Sequence, residues 1–157
     1  MDITPKSLKS YLFDAINFDW FTSKAIIRIQ MISNFLIISC IGKDDKLGLR
    51  INKDFFIHRF KKQKKRSDFI VSELLDFLKA HNVILDQKFT VIINQGPGSF
   101  SVTRASLAIA KGLHLSKKVQ LFGYKSDDLK HFNQENIEKL ISEDLIEKKL
   151  IKPIYLS

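Results

Sequence analysis

The residues with the clearest chemical potential form one short segment, Asn94-Gln95-Gly96-Pro97-Gly98-Ser99-Phe100. An apolar, β-branched run precedes it and helical spacing follows from Ser101 to Leu115, so the sequence predicts a strand, a tight loop and a helix. The two glycines permit positive φ angles or the close approach of another group, and a serine beside Phe100 can cap the new helix. Such a loop can hold an anion at the helix N-terminus. It is equally suited to be a plain strand-to-helix connection.

Other catalytic patterns are absent from the sequence. The four histidines are dispersed, with no HxxxH or HExxH spacing, and no serine lies in a GxSxG elbow. The adjacent aspartates, Asp44-Asp45 and Asp127-Asp128, occur at turn or helix-start positions, where capping and solvation are their usual roles. The sequence therefore predicts neither a metal site nor a catalytic residue.

A basic run follows the first third of the chain. Five of its six residues are positive: Lys61, Lys62, Lys64, Lys65 and Arg66. No sheet face would bury such a run, so it is either a solvated loop or a contact with RNA phosphates.

The composition is that of one globular domain with a basic balance. The chain has 157 residues, of which 45% are hydrophobic and 27% charged, and its formal net charge is +9. This charge favours an acidic partner such as RNA, although AT-rich coding also produces a lysine-rich composition.

The single cysteine, Cys40, lies in an apolar run, which excludes an intrachain disulfide and indicates a small core residue in a reducing compartment. No secretory h-region occurs near the N-terminus. The apolar window from Ala25 to Ile41 is interrupted by polar residues and is rich in β-branched ones, which favours two strands over a membrane span. We therefore expect a cytoplasmic protein with no membrane partner.

Hydrophobic periodicity predicts a mixed α/β domain. The expected helices are 4–18, 67–82, 101–115 and 136–149, with a short helix within 126–132; the expected strands are 25–31, 35–41, 46–51, 55–60, 89–93 and 119–122. The early strands form an antiparallel meander with a hairpin turn at 42–45. The later pair is bridged by a helix, so those strands are expected to be parallel. The last residues, 154–156, are predicted to be extended after Pro153.

The helix after the loop has an unusual content of small residues. Val102, Ala105, Ile109 and Leu113 share one predicted face, and Ala105, Ala108 and Gly112 place small side chains along or beside it. An interior glycine costs a helix about 1 kcal/mol relative to alanine. Something is therefore expected to pack closely there, either the domain's own sheet or a partner helix.

The segment 96–113, GPGSFSVTRASLAIAKGL, closely resembles the signature GPGSFTGLRIGxxxAKGL of the TsaB (YeaZ) family. It keeps the whole GPGSF, an arginine (Arg104) at the same offset and the AKGL end. A Gly-x-x-Ser segment begins at Gly123 and a Pro-x-Tyr-Leu tail begins at Pro153, as in the family. The resemblance spans roughly residues 25–129 and that tail.

The resemblance implies a fold and a partner. The fold is a single actin-like (ASKHA, RNase H-like) lobe, and the role is that of a non-catalytic scaffold for the TsaD enzyme. With the TsaE ATPase, that enzyme places the threonylcarbamoyl group on the adenosine next to the anticodon of tRNAs. Two helices of the family build the heterodimer and a competing homodimer. In this chain the resemblance therefore implies the following interface residues: Val102, Ala105, Ala108, Ile109, Gly112 and Leu113, together with Ile70 and Leu74.

Two departures from the family pattern limit what is implied. The family's first strand ends in an acidic IDTS-type motif, whereas no aspartate or glutamate occurs between Asp19 and Asp44. We therefore expect no cofactor, with ATP bound at most by the partner complex. Typical members also carry a second lobe, so this chain is interpreted as a reduced member with an N-terminal helical extension (1–24), an actin-like lobe (25–132) and a C-terminal helix and tail (133–157).

Three functions remain open at this point. The first is the TsaB-like scaffold, with tRNA as a possible further partner. The second is a small phosphate- or nucleotide-binding enzyme that uses the GPGSF loop. The third is a free-standing RNA-binding module based on the basic run 61–66.

Overall fold

The computed structural model describes residues 32–61, 67–148 and 151–155. The expected helix at 4–18, the strand at 25–31 and the N-terminal extension lie outside these residues. Within the described chain there are five strands: β1 (Phe35–Ser39), β2 (Lys46–Ile51), β3 (Asp54–Arg59), β4 (Thr90–Asn94) and β5 (Gln120–Tyr124). The helices are α1 (Ser67–Ala80), α2 (Phe100–Lys117) and α3 (Gln134–Ser142), and a short 3-10 helix spans Ser126–Asp128.

The five strands form one mixed sheet in the order β3-β2-β1-β4-β5. The strands β1, β2 and β3 pair antiparallel, while β4 pairs parallel with both β1 and β5. This confirms the predicted meander followed by a β-α-β unit. The carboxyl ends of β1, β4 and β5 consequently meet at one edge of the sheet, from which the GPGSF loop emerges.

Helices cover both faces of the sheet because alternate strand residues point to opposite sides. Leu36 and Ile38 face α1 and α2 in one buried cluster, which also contains Cys40. Phe35 and Ile37 face α3 in the other, where Ile137, Leu140 and Ile141 are buried. Strand β4 is buried along its whole length, as expected for a central strand covered on both faces.

The C-terminal third corrects two predictions. The helix expected at 136–149 ends at Ser142, after which the backbone turns through Asp144, whose φ angle is 62°. The residues beyond are extended, and Glu147 bridges Gly123 on the outer side of β5 with two hydrogen bonds of 2.8 Å. Ile146 in this extended segment is buried, whereas the adjacent Leu145 is exposed. The short helix expected within 126–132 is reduced to the single 3-10 turn.

Candidate functional site

The chain itself fills the GPGSF loop. The φ angle of Gly96 is +100°, and a Cβ atom on this residue would lie 2.6 Å from the carbonyl oxygen of Ile154. A Cβ atom on Gly98 would lie 2.6 Å from the carbonyl oxygen of Ile41. The Gly96–Pro97 peptide bond is cis. Both glycines therefore make room for backbone of this chain, and the groups that approach them are acceptors, whereas a phosphate requires donors.

The prediction that a serine side chain caps the start of α2 is wrong. Ser99 occupies the N-cap position of α2, but its side chain makes no capping hydrogen bond. Its backbone N–H instead donates to the carbonyl oxygen of Ile41 at 2.6 Å. The start of α2 is thus fixed by the turn after β1, a contact across 58 positions that no local pattern in the sequence indicates.

A neutral polar network closes the carboxyl ends of the parallel strands. The Asn94 amide donates to the Ser39 hydroxyl at 3.3 Å, and its oxygen accepts from the Ser126 hydroxyl and the Gly96 N–H, both at 2.9 Å. Burial raises the pKa of the neighbouring Tyr124 phenol. The Ser39 and Asn94 side chains lower this pKa and so partly offset the effect of burial. The last residues of β1, β4 and β5 are Ser39, Asn94 and Tyr124, none of which is acidic.

A C-terminal segment lies against the loop. The Ile154 N–H donates to the Gln95 carbonyl at 2.7 Å, and the Gln95 side-chain amide donates to the Lys152 carbonyl at 3.0 Å. This places Tyr155 on Phe100, with ring centroids 5.0 Å apart and an interplanar angle of 29°. The Arg104 guanidinium lies over the same Phe100 ring, 5.0 Å from its centroid. Sequence reasoning missed this group because Tyr155 lies 51 and 55 positions after Arg104 and Phe100.

The residues of helix α2 lie in three environments, and the predicted interface residues occupy two of them. Its buried side consists of Thr103, Ser106, Leu107 and Ala110, none of which was predicted as a site residue. Val102, Ile109 and Leu113 are half-buried against the core cluster beneath α1 and α2. Ala105 is half-buried, whereas Ala108 and Gly112 are exposed, and a Cβ atom on Gly112 would meet nothing within 4 Å.

The two predicted interface residues of α1 belong to the core. Ile70 and Leu74 are 6% and 1% exposed and pack against the sheet, because they fall on the inward stripe of the helix. Their apolar character therefore needs no partner. The outward apolar residues of α1 are Val71 and Leu75, which are 40% and 50% exposed. The outward face of the helix pair is made by these two residues with Ala108, Gly112 and the exposed Leu115.

Most of the predicted RNA-contact residues lie outside the described part of the chain. Lys61 is exposed, while Lys62, Lys64, Lys65 and Arg66 lie outside the described residues. Across 32–61, 67–148 and 151–155, no group of three or more His, Cys, Asp or Glu side chains is arranged to hold a metal ion. No helix in that part of the chain has the length and hydropathy to cross a membrane.

Solved structures with a similar fold are known, although the sequence itself has no match. No protein-family model matches the sequence, and no curated protein matches it. YeaZ from Pseudomonas aeruginosa is structurally similar, with a TM-score of 0.54 and 17% identity over 62% of this chain and 45% of that one. The structure of "an uncharacterized protein with similarity to peptidase YEAZ from Pseudomonas aeruginosa" gives the same TM-score and identity, over 62% of this chain and 44% of that one.

The chain thus spans less than half the length of these two structures. The likeness confirms the expected fold class, a mixed α/β sheet with helices packed on it. It also agrees with the resemblance of residues 96–113 to the YeaZ signature. The described chain has the actin-like α/β fold found in YeaZ.

Proposed function

We propose that this protein is a non-catalytic scaffold that binds a TsaD-like enzyme through the outward face of α1 and α2. Through that complex it supports the formation of threonylcarbamoyladenosine in tRNA, with a TsaE-like ATPase acting indirectly. The GPGSF loop sets the position of α2, and the helix pair meets the partner. A homodimer through the same face is the competing assembly.

The observation that carries the proposal is the environment of Gly112. A glycine inside a helix lowers its stability by about 1 kcal/mol relative to alanine. Such a residue is retained where a neighbouring backbone needs the space, yet nothing in the described chain lies within 4 Å of a Cβ built at this position. The packing of the described residues therefore does not use the gap. A helix approaching from outside would use it.

The surroundings of Gly112 suit a second pair of helices. Ala108 lies one turn before it and exposes only a methyl group, while Leu115 at 70% exposure follows on the same side. Leu75 and Val71 extend the apolar surface onto α1, one turn apart. Exposed apolar residues on two adjacent helices, with small residues between them, permit close ridge-and-groove packing.

The strand ends support a non-catalytic role. Carboxylates there would bind the metal of a nucleotide, but β1, β4 and β5 end in Ser39, Asn94 and Tyr124. The glycines of the loop face the carbonyl oxygens of Ile154 and Ile41. These features favour the scaffold over the nucleotide-binding enzyme.

The test is co-purification with the TsaD-like protein of the same cell. Gly112→Arg and Ala105→Arg are expected to abolish the complex, because each adds a long charged side chain to the contact. Ile84→Arg is the matched control, since Ile84 is 79% exposed and belongs to the segment between α1 and β4, outside both helices. The decisive substitution is Gly112→Ala, which should stabilise the isolated protein by up to about 1 kcal/mol while weakening the complex.

Undiminished capture of the enzyme by Gly112→Arg would reject the interface. A tRNA modification assay with the purified components then separates binding from function. Complex formation without any gain in threonylcarbamoyladenosine would retain the interface and reject the supporting role.

A further inference from the structure

Two exposed aromatic rings are held together at the loop end of the molecule. Phe100 is 58% exposed and Tyr155 is 46% exposed, although their rings are stacked with centroids 5.0 Å apart. The guanidinium of Arg104 adds a cation over the Phe100 ring. We call these three residues the aromatic platform. Burial in the core does not account for it, since all three side chains lie on the surface.

The platform is fixed by the backbone on both sides. Phe100 begins α2, and the preceding residue is bonded to the turn after β1 through the Ser99 N–H. Tyr155 follows Ile154, whose N–H is bonded to Gln95. Rings held in this way lose little conformational entropy when another flat group stacks on them, which is the general advantage of preorganisation. The two rings therefore present a surface ready to stack against a planar ligand.

The charges around the platform are positive. Helix α2 contains no aspartate or glutamate in its 18 residues, and its charged side chains are Arg104, Lys111 and Lys117. Arg104 and Lys111 are seven residues apart, hence on the same side of the helix and about 10 Å from each other along its axis. Lys152 is exposed three positions before Tyr155. A ligand on the platform therefore meets cations in both directions, so the charge complement is a polyanion.

Planar groups on a polyanionic chain are the features of single-stranded nucleic acid. Proteins that bind it combine aromatic side chains, on which bases stack, with basic residues that follow the backbone. A protein partner would use the rings as apolar anchors surrounded by further apolar surface. Around the Phe100 ring the neighbours are instead polar or basic, with Ser99 and Ser101 beside it in the chain and Arg104 one turn on. The acidic pair Asp127 and Asp128 lies on the 3-10 helix, not on α2 or the tail.

We propose that the aromatic platform binds single-stranded nucleic acid, with a base stacked on the outer face of Tyr155 in line with the Phe100 ring, and with the flanking phosphates paired with Arg104, Lys111 and Lys152. This site is separate from the basic run at 61–66. It also does not rest on the scaffold function, because it requires no partner protein.

The experiment measures binding of the full chain alone to fluorescently labelled, unstructured RNA of about 12 nucleotides by anisotropy at about 50 mM salt. Single-stranded DNA of the same sequence and the RNA duplex are the comparison ligands. We expect both single strands to bind more tightly than the duplex. Equal affinity for RNA and DNA indicates stacking alone, whereas tighter RNA binding adds a contact with the 2′-hydroxyl.

Substitutions in the rings give the sharpest result. Tyr155→Ala should weaken binding at least about fivefold, the lower bound for losing one base stack, and Phe100→Ala should weaken it by removing the ring that supports Tyr155. Tyr155→Phe keeps the ring face and should remain within about twofold of the unmodified protein, by the same reasoning. Tyr155→Leu keeps apolar bulk on the tail without a ring, so it should behave as the alanine variant even if the tail stays packed. Ile84→Ala, an exposed apolar change in the segment before β4, is the control.

Arg104→Gln tests the electrostatic part. It should weaken binding and reduce the slope of log affinity against log salt by about one. The proposal is overturned if Tyr155→Leu binds like the unmodified protein, or if the duplex binds as tightly as the single strands. Melting curves of each variant identify any that fail to fold, and the Tyr155→Phe and Tyr155→Leu pair then decides the outcome.

Discussion

The motif contains glycine in two regions, for opposite reasons. Gly96 and Gly98 lie in the loop, and Gly112 lies within α2. The loop glycines are needed by the fold itself, since carbonyl oxygens of Ile154 and Ile41 occupy the space where side chains would begin. The helix glycine is not, since nothing in the described chain approaches it. One sequence motif therefore contains both an internal packing requirement and an outward-facing gap.

The difference shows that spacing alone does not assign a role to a glycine. A glycine pair in a strand-to-helix loop is typical of a phosphate site, yet here it lets a distant tail and a neighbouring turn approach. A glycine in a helix is usually a local weakness, yet here it lies on the surface with the most exposed apolar side chains of the helix pair. Substitutions at inward-facing and at outward-facing positions should therefore have different effects on stability, and these effects test the difference between the two regions.

The largest effect is expected for adjacent leucines of α1. Leu74→Ala should lower the free energy of unfolding by about 2–5 kcal/mol, because it opens a cavity beneath a side chain that is 1% exposed. Leu75→Ala should change it by no more than about 0.5 kcal/mol, because that side chain is 50% exposed. Urea unfolding measures both. Similar losses for the two variants would mean that α1 does not present Leu75 outward.

An intermediate effect is expected for the glycines themselves. Gly98→Ala should destabilise the protein by roughly 1–3 kcal/mol, because the new methyl group would collide with the backbone of Ile41. Gly112→Ala should stabilise it by up to about 1 kcal/mol. Thermal unfolding of the pair at equal protein concentration compares them directly. Effects of the same sign would remove the distinction between the two regions.

The smallest effect concerns Asp45, whose carboxylate accepts the N–H groups of Ile41 and Gly42 at 2.9 Å and so supports the turn beneath the loop. Burial raises the pKa of Asp45 above its ordinary value of 3.8; the backbone hydrogen bonds oppose this, and Asp44 adds to it. A raised folded-state pKa means that the contribution to stability is fully present below the unfolded pKa and is lost as pH rises through the folded one.

Asp45→Asn keeps the acceptor oxygen and removes this titration. The stability of the variant relative to the unmodified protein should therefore increase from about pH 3 to pH 7. Urea unfolding at several pH values gives the difference. A relative stability that falls over the same range would show that the ionised carboxylate stabilises the turn.

Much of the fold could be predicted from the sequence because its signals are local. The alternating pattern of 46–51, the apolar run before Asn94 and the helical spacing of 67–80 each gave an element of the correct type. The parallel arrangement of β4 and β5 followed from the helix between them. The apolar residues after Ser142 misled because their helical spacing also fits an extended segment, and the choice depends on Gly123, which pairs with Glu147.

The candidate site was less predictable because its contacts are long-range. The motif indicated the outward gap at Gly112, but apolar spacing alone could not separate the core residues Ile70 and Leu74 from the exposed Val71 and Leu75. The aromatic platform joins the first residue of α2 to a tail more than fifty positions later. Periodicity carries no information about such a pairing.

The bonds between Gln95 and the C-terminal segment also affect where this chain can be cut. Gln95 is 6% exposed, and both its carbonyl and its side-chain amide find partners at Ile154 and Lys152. A truncation before Lys152 would leave those buried groups without acceptor or donor, at a cost of about 1–3 kcal/mol each. Shortened versions of the protein must therefore retain Lys152 to Ile154, because these residues satisfy the hydrogen bonds of the buried Gln95.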